Sequence, residues 1–342
     1  MSDKDSRLDE VAAYYGDVLE GRHSLRTGAC CSQDALSPER RRWLDLIVPD
    51  VRDRFYGCGS PLPFALEGCH VLDLGCGSGR DVYLASALVG PQGRVTGVDM
   101  SAGQLAVARR HRQFQAWRFG HAESNVNFCL GRIEALAELG IGDNTQDVVI
   151  SNCVINLSPD KERVFAEIRR VLKPGGELLF SDVFADRRVP AELARDPVLR
   201  NECLAGAMYV EDFRRTMLRA GWGDCRELSR CRTTIGDAAL EAQVGDIVFH
   251  SLTLRAFKLS GLEDRCENYG QTVTYLGTLP ECPDRFALDA GHVFVTGVEV
   301  AVCGNTAAML GQTRYARHFR VDGDRSRHYG LFDCAPAGGG CC

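Results

Sequence analysis

Apolar positions follow two rhythms along the middle of the chain. Short apolar runs occur at HVLDL (70–74), RVTGVDM (94–100), VNFCLG (126–131), QDVVISN (146–152) and GELLFSD (176–182). Each is bounded by glycine or polar residues and predicts a strand. Between them, apolar residues recur every three or four positions. The clearest case is DKERVFAEIRRVLKPGG, where Val164, Phe165, Ile168, Val171 and Leu172 form one helical face before Pro174 and two glycines stop the helix. Strands alternating with helices predict an α/β fold, a doubly wound parallel sheet covered on both faces.

The flanks read differently. Residues 1–69 look helical and irregular, with a turn at YGCGSPLP. Residues 183–258 read as helices followed by strand-like pieces ending in SLTLRAFKLS. In residues 259–342, TVTYLGTLP and FALDAGHVFVTGVEVAVCG alternate like antiparallel strands. One helix is predicted at TAAMLGQTRYARHF, and the chain ends in the tail APAGGGCC. This predicts three parts: a nucleotide-binding domain at 1–182, a middle segment at 183–258, and a small α+β domain at 259–342 with a mobile Cys341–Cys342 end.

Composition narrows the function classes. A net charge of −6 argues against nucleic acid or an anionic membrane as a main partner. No apolar run approaches the ~20 residues of a membrane span. The start, MSDKDSRLDEV, has no signal-like apolar core, so a cytoplasmic protein is expected. Sixteen cysteines in 342 residues are many for such a protein. In the cytoplasm most are expected to be reduced. No C-x-x-C occurs, so the strong zinc and thioredoxin signatures are absent. Cys69, Cys76 and Cys129 lie beside predicted strands and read as small buried residues.

VLDLGCGSGRD (71–81) ends the first strand and opens a helix. Gly75, Gly77 and Gly79 permit a tight turn and close ligand approach, and Asp99 ends the second strand 20 residues after Gly79. That order and spacing point to an adenosine-type ligand. The triplet is G-x-G-x-G, and Asp73 precedes it, so a cation fits better than a pyrophosphate. The pattern resembles class I S-adenosylmethionine-dependent methyltransferases. That resemblance implies a Rossmann-like sheet and a cofactor site at Asp73, Gly75, Gly77 and Gly79, at Asp99 with Met100, at Ile133 with Glu134, and at Asn152 with Val154. Cys153, just past the fourth strand, then faces the transferable methyl.

A methyl acceptor on oxygen or nitrogen usually needs a base. SNCVINLSPD has no histidine, and its one acid, Asp160, is placed to cap the next helix. The Cys153 thiol is a nucleophile, a metal ligand or a packing residue. Cys58 lies between two glycines, and Cys203 lies in LRNECLAGAMY, read as a short helix after the fifth strand. Thiolates select soft, thiophilic centres, and three of them suit a trivalent metalloid.

YGCG (56–59), VISNCVINL (149–157), NECLAGAMY (201–209) and LRTGACC (25–31) resemble the cysteine motifs of arsenite methyltransferases. The similarity continues through GRDVYLASALVGPQGRVTGVDMSAGQLAVAR and into FALDAGHVF, VCGNTA, RHYGLFDC and the GGGCC end. It implies methylation of arsenite and then methylarsenite, in arsenic detoxification. By the same resemblance, Cys58, Cys153 and Cys203 bind As(III), and Cys30 forms a redox disulfide with Cys58. Cys31, beside Cys30, is an alternative redox residue. A thiol reductant, thioredoxin or glutathione, is the implied partner. Two other functions remain open at this point: a methyltransferase of a small organic acceptor with structural cysteines, and a non-catalytic thiol-rich metalloid sensor.

Overall fold

A computed structural model describes residues 8, 10–18, 25–28 and 36–333. Expectations for Cys30, Cys31, Cys334, Cys341 and Cys342 therefore lie outside the described residues. All five strands of the βα rhythm are present: β1 (His70–Leu74), β2 (Arg94–Asp99), β3 (Val126–Leu130), β4 (Gln146–Asn152) and β5 (Leu172–Ala185). They pair in parallel in the order β3-β2-β1-β4-β5. The strand expected at 176–182 is longer at both ends: Leu172 pairs with Gln146 of β4 at one, and Phe184 and Ala185 pair with the two-residue β6 (Met208–Tyr209) at the other.

Two longer strands from the same 183–258 segment as β6 complete this eight-stranded sheet. β8 (Phe249–Phe257) runs antiparallel to β5, and β7 (Cys225–Arg232) antiparallel to β8. Helices α1 (Arg80–Val89), α2 (Ala102–Arg110), α3 (Lys161–Val171) and α4 (Val210–Arg219) cover the faces. The α3 face read from the sequence is buried: Val164, Phe165, Ile168 and Val171 pack with Leu178 and Phe180 of β5. Asp160 caps α3, accepting the Arg163 backbone N–H at 3.2 Å. After β3 the chain makes one short 3-10 turn, Leu136–Leu139.

The C-terminal residues form the expected antiparallel strands, in a three-stranded sheet β12-β9-β13 and a β10-β11 pair. They comprise β9 (Thr272–Tyr275), β10 (Arg285–Ala287), β11 (Val293–Val295), β12 (Glu299–Ala301) and β13 (Phe319–Asp322). The single helix expected over 306–319 spans Gly304–Gly311 instead. Thr313 Oγ1 bonds Met309 O at 2.6 Å, and the chain then turns to send Arg314 and Tyr315 toward the main sheet.

Their target explains the break. Glu177 of β5 is fully buried. It pairs with Arg255 Nε at 2.5 Å and with Arg314, and accepts the Tyr315 hydroxyl at 3.1 Å. Burial alone would raise the Glu177 pKa, but the two guanidiniums hold it below the usual carboxylate range. One carboxylate thus joins β5, β8 and the C-terminal domain. Its depressed pKa means that the stabilisation is present above the ordinary carboxylate range and is lost as pH falls through the folded value. Glu177→Gln strands two buried cations. The expected loss is about 3–5 kcal/mol, read as a fall in the denaturation midpoint at neutral pH, with a smaller difference from wild type in acid.

Candidate active site

The strand order reverses between β1 and β4, and ligands bind at such switch points beyond the strand ends. Leu74 is level with Val98 and Ser151, so the chain leaves β1, β2 and β4 at one edge. A cavity of about 970 Å³, counted to its open mouth, lies there. Asp73, Gly75 and Gly77 line it from the glycine loop, and Asp99 and Met100 from the end of β2. Ile133 and Glu134 line it after β3, and Asn152, Cys153 and Val154 after β4. Gly75 has φ +70°, and a Cβ there would fall 2.2 Å from Val154. The loop therefore needs glycine.

Gly79 departs from expectation. It does not line the cavity but precedes α1, where an added Cβ would meet Phe128 at 3.0 Å and Ala108 at 3.3 Å. It serves close packing of helix on sheet, the usual task of the third glycine. Glu134 is at the cavity and accepts the Ser158 hydroxyl.

Three aspartates, Asp73, Asp81 and Asp99, crowd this cavity. Burial raises the Asp73 pKa well above the ordinary range, and Asp81 and Asp99 raise it further. Burial also raises Asp99, partly offset by backbone N–H donors. Its oxygens accept Gly77 N and Ser101 N, each at 2.7 Å, so Asp99 braces the loop as well as facing the cavity. Asp81 Oδ1 and Arg80 Nη1 are buried without hydrogen-bond partners and stand 3.6 Å apart. The raised Asp73 and the Asp81 oxygen that lacks a hydrogen bond, in a low-dielectric cleft, fit a ligand that brings positive charge and polar groups.

Of the three thiols, Cys153 lines this cavity, and Cys203 is buried against it. Cys153 follows Asn152 directly and has φ +61°; Cys203 has φ +68°. Such values in residues other than glycine carry strain of about 1–3 kcal/mol each. The helix expected to contain Cys203 ends earlier, at Pro197–Asn201 with Glu202 as its cap. Cys203 takes the left-handed position just past the end, where glycine is usual. Its Sγ donates to Cys153 O at 3.1 Å. Among the described residues, Cys153, Cys203 and Asp182 form one group whose Sγ and carboxylate atoms lie within 4.8 Å of one another. Cys58 is outside that group but packs in the same buried cluster as both cysteines.

Asp182 was not legible as a site residue. The segment SNCVINLSPD supplies no base of its own, yet β5 brings this carboxylate beside it. Asp182 accepts Asn156 N at 3.1 Å, Asn156 Nδ2 at 2.7 Å and Val183 N at 2.8 Å. The available signal was its position near the carboxyl end of β5, the strand beside β4. Lys161 lies close enough that Asp182, Cys203 and Glu134 counter the burial that lowers its pKa.

Asn152 connects the two halves of the site. Its Oδ1 accepts Cys58 N at 3.0 Å and Gly59 N at 3.2 Å. Its Nδ2 donates to Gly59 O at 2.8 Å and Asp81 Oδ2 at 2.9 Å. Cys76, also on the cavity wall, is passive: burial and the two nearby aspartates push its thiol pKa well up.

A family model described as a methyltransferase domain matches residues 65–221, and one described as the arsenite methyltransferase C-terminal domain matches residues 268–336. The arsenite methyltransferase of Aquipseudomonas alcaligenes is 50% identical over 325 residues, covering 95% of this chain and 93% of that protein. The human one is 41% identical over 315 residues, 91% of this chain and 83% of its own length. This chain belongs to the arsenite methyltransferase family. The crystal structure of the arsenic(III) S-adenosylmethionine methyltransferase from Chlamydomonas reinhardtii superposes with a TM-score of 0.84 at 49% identity, covering 87% of this chain and all of that one. The class I methyltransferase fold and S-adenosylmethionine follow for this member of the family.

The acid cluster gives this arsenite methyltransferase a pH signature. A sulfonium and an ammonium favour ionised Asp73 and Asp99, whose pKa values are raised by burial. S-adenosylmethionine affinity is expected to weaken as pH falls through those raised values, above the ~3.9 of an unperturbed aspartate. Calorimetric titration at several pH values checks this. Asp73→Asn is expected to bind more weakly and with a flatter pH profile.

Proposed function

We propose that this chain methylates As(III), arsenite first and then methylarsenite, as a detoxification step. The observation that carries this reading is that Cys153, on the wall of the cofactor cavity, has its sulfur beside that of Cys203, both held in strained backbone. S-adenosylmethionine, when bound, supplies an electrophilic methyl on a sulfonium. The residues to hold it are Asp73, Gly75 and Gly77, Asp99 with Met100, Ile133 with Glu134, and Asn152 with Val154. Gly79 shapes the loop from behind.

Cys153 and Cys203 ligate the arsenic, with Cys58 as the third thiolate of the family pattern. Each thiol proton leaves with an arsenic hydroxide as water, and the Asp182 carboxylate is placed to carry it. The bound arsenic then presents a lone pair with no proton to lose. No general base is needed for the transfer itself, and the chain contributes chiefly position, worth up to ~7–11 kcal/mol of barrier.

Methylation formally oxidises arsenic to As(V), so two electrons must return. In our reading Cys30 and Cys58 give them by forming a disulfide, which thioredoxin or glutathione reduces. That cycle requires a reducing compartment, the cytoplasm. The parts we assign are 1–182 for the cofactor, 183–258 for Cys203 and the last sheet strands, and 259–342 as an accessory domain.

The test is incubation with S-adenosylmethionine, arsenite and a thiol, with arsenic species separated by chromatography. Cys153→Ser or Cys203→Ser is expected to lower turnover at least ~100-fold, as expected when a reactant is no longer held in place, while S-adenosylmethionine still binds. Near-normal turnover overturns the thiolate assignment. Cys30→Ser is expected to stop after about one methyl transfer per enzyme, whereas Cys31→Ser continues to cycle; the reverse outcome makes Cys31 the redox residue.

A further inference from the structure

Three consecutive residues ahead of Cys203 hold the N-terminal segment. Arg200 Nη2 pairs with Glu10 Oε2 at 2.5 Å. Asn201 O accepts the Tyr15 hydroxyl at 2.8 Å. Glu202 takes the most: Oε1 accepts the Tyr14 hydroxyl at 2.8 Å and Arg26 N at 2.9 Å, and Oε2 accepts Thr27 N at 2.8 Å and Thr27 Oγ1 at 2.6 Å. Glu202 is fully buried, 0% exposed. All four donors come from residues 14–27, so without that segment a buried carboxylate would lose them together, at a large desolvation cost.

The same segment walls the cofactor cavity. Leu8, Val11, Ala12 and Tyr15 line it, and Tyr15 O accepts Gln104 Nε2 at 2.6 Å. Gly28 N then bonds Thr234 O at 3.0 Å, and Arg26 pairs with Asp237. One piece of chain is therefore fastened at one end to the cofactor cavity and at the other to the residues that set the backbone of Cys203.

We infer that Glu202 is a positioning residue that couples the two substrate sites: docking of the N-terminal segment on Glu202 closes the cofactor cavity and fixes Cys203 in its left-handed conformation together. This rests on the reading of Cys203 as an arsenic ligand. By linkage, each ligand then raises the affinity for the other by the same factor. A residue that merely stabilised the fold would change both affinities or the melting point, but not their mutual dependence.

The test is titration of the full-length protein with S-adenosylhomocysteine, which cannot transfer a methyl, with and without saturating arsenite. Wild type is expected to bind about tenfold more tightly with arsenite present, within the ~5–150-fold range common for such coupling. Glu202→Gln presents an amide N–H to donors, and its coupling factor is expected to fall toward one while each ligand still binds alone. Tyr14→Phe and Thr27→Val, which remove donors and leave Glu202 in place, are expected to reduce the factor in the same direction and keep the inference testable if the Glu202 variant does not fold. Wild-type coupling retained in these variants, or no coupling in wild type, overturns it. A wild type that binds S-adenosylhomocysteine and no arsenite overturns the functional reading itself, and that is seen before any variant is made.

Discussion

The Asn152 side chain sits where the fourth strand ends, and four hydrogen bonds from one amide set the spacing of everything around it. Two N–H groups from the Cys58 loop converge on its oxygen, while its nitrogen reaches Gly59 O and Asp81. The cysteine loop therefore cannot move without disturbing an acid of the cofactor cavity. The next residue is Cys153, turned by a positive φ away from the strand direction. A strand that simply ran on would send this thiol along the sheet edge. The turn, fixed by Cys153 N donating to Ser181 O at 2.7 Å, puts it at the cavity wall instead. The strain is sustained because both flanks are tied down, one by Asn152 and one by β5.

What could be read from the chain follows from how local the cause is. Strand ends and the glycine loop are local: period, β-branching and turn residues mark them, and QDVVISN is a strand over its whole predicted length. Glycine spacing also gives the cavity, although only contact with Phe128 shows that Gly79 packs rather than binds. The neighbours of the thiols are not local. Asp182 joins Cys153 through sheet pairing, and Glu202 meets Tyr14 across 188 residues. No window of sequence contains both members of either pair. The C-terminal helix fails for a similar reason: its propensity continues past Gly311, but the buried Glu177 demands Arg314 and Tyr315, and tertiary pairing overrides local preference.

Backbone conformation separates the cysteines better than count or spacing. Cys69, Cys76 and Cys225 have thiol pKa values raised by burial and sit in ordinary packing. Cys153 and Cys203 are two of the four residues other than glycine with positive φ among the described residues. A packing residue gains nothing from that conformation, and natural chains place glycine there when only the turn matters. Cysteine at a glycine position, twice, with the two sulfurs brought together, is a cost that packing does not explain. The proposed role of both thiols as arsenic ligands accounts for it.

The same economy extends to charge. A site for a cationic methyl donor needs anions, and Asp73, Asp81 and Asp99 supply them at the cavity, where burial keeps Asp73 and Asp99 reluctant to ionise until a cation arrives. Were the acceptor an alcohol or amine, a further base aimed at its proton would be required within the same space. The carboxylate that stands by the thiols, Asp182, is held by three N–H donors. In the proposed reaction it is the group beside the two sulfurs that takes up the thiol protons. An acceptor that attacks through a lone pair, once its ligands have shed their protons, asks for no more than this. The electrostatics of the cavity and the strain at the two thiols thus point to the same substrate chemistry from independent directions.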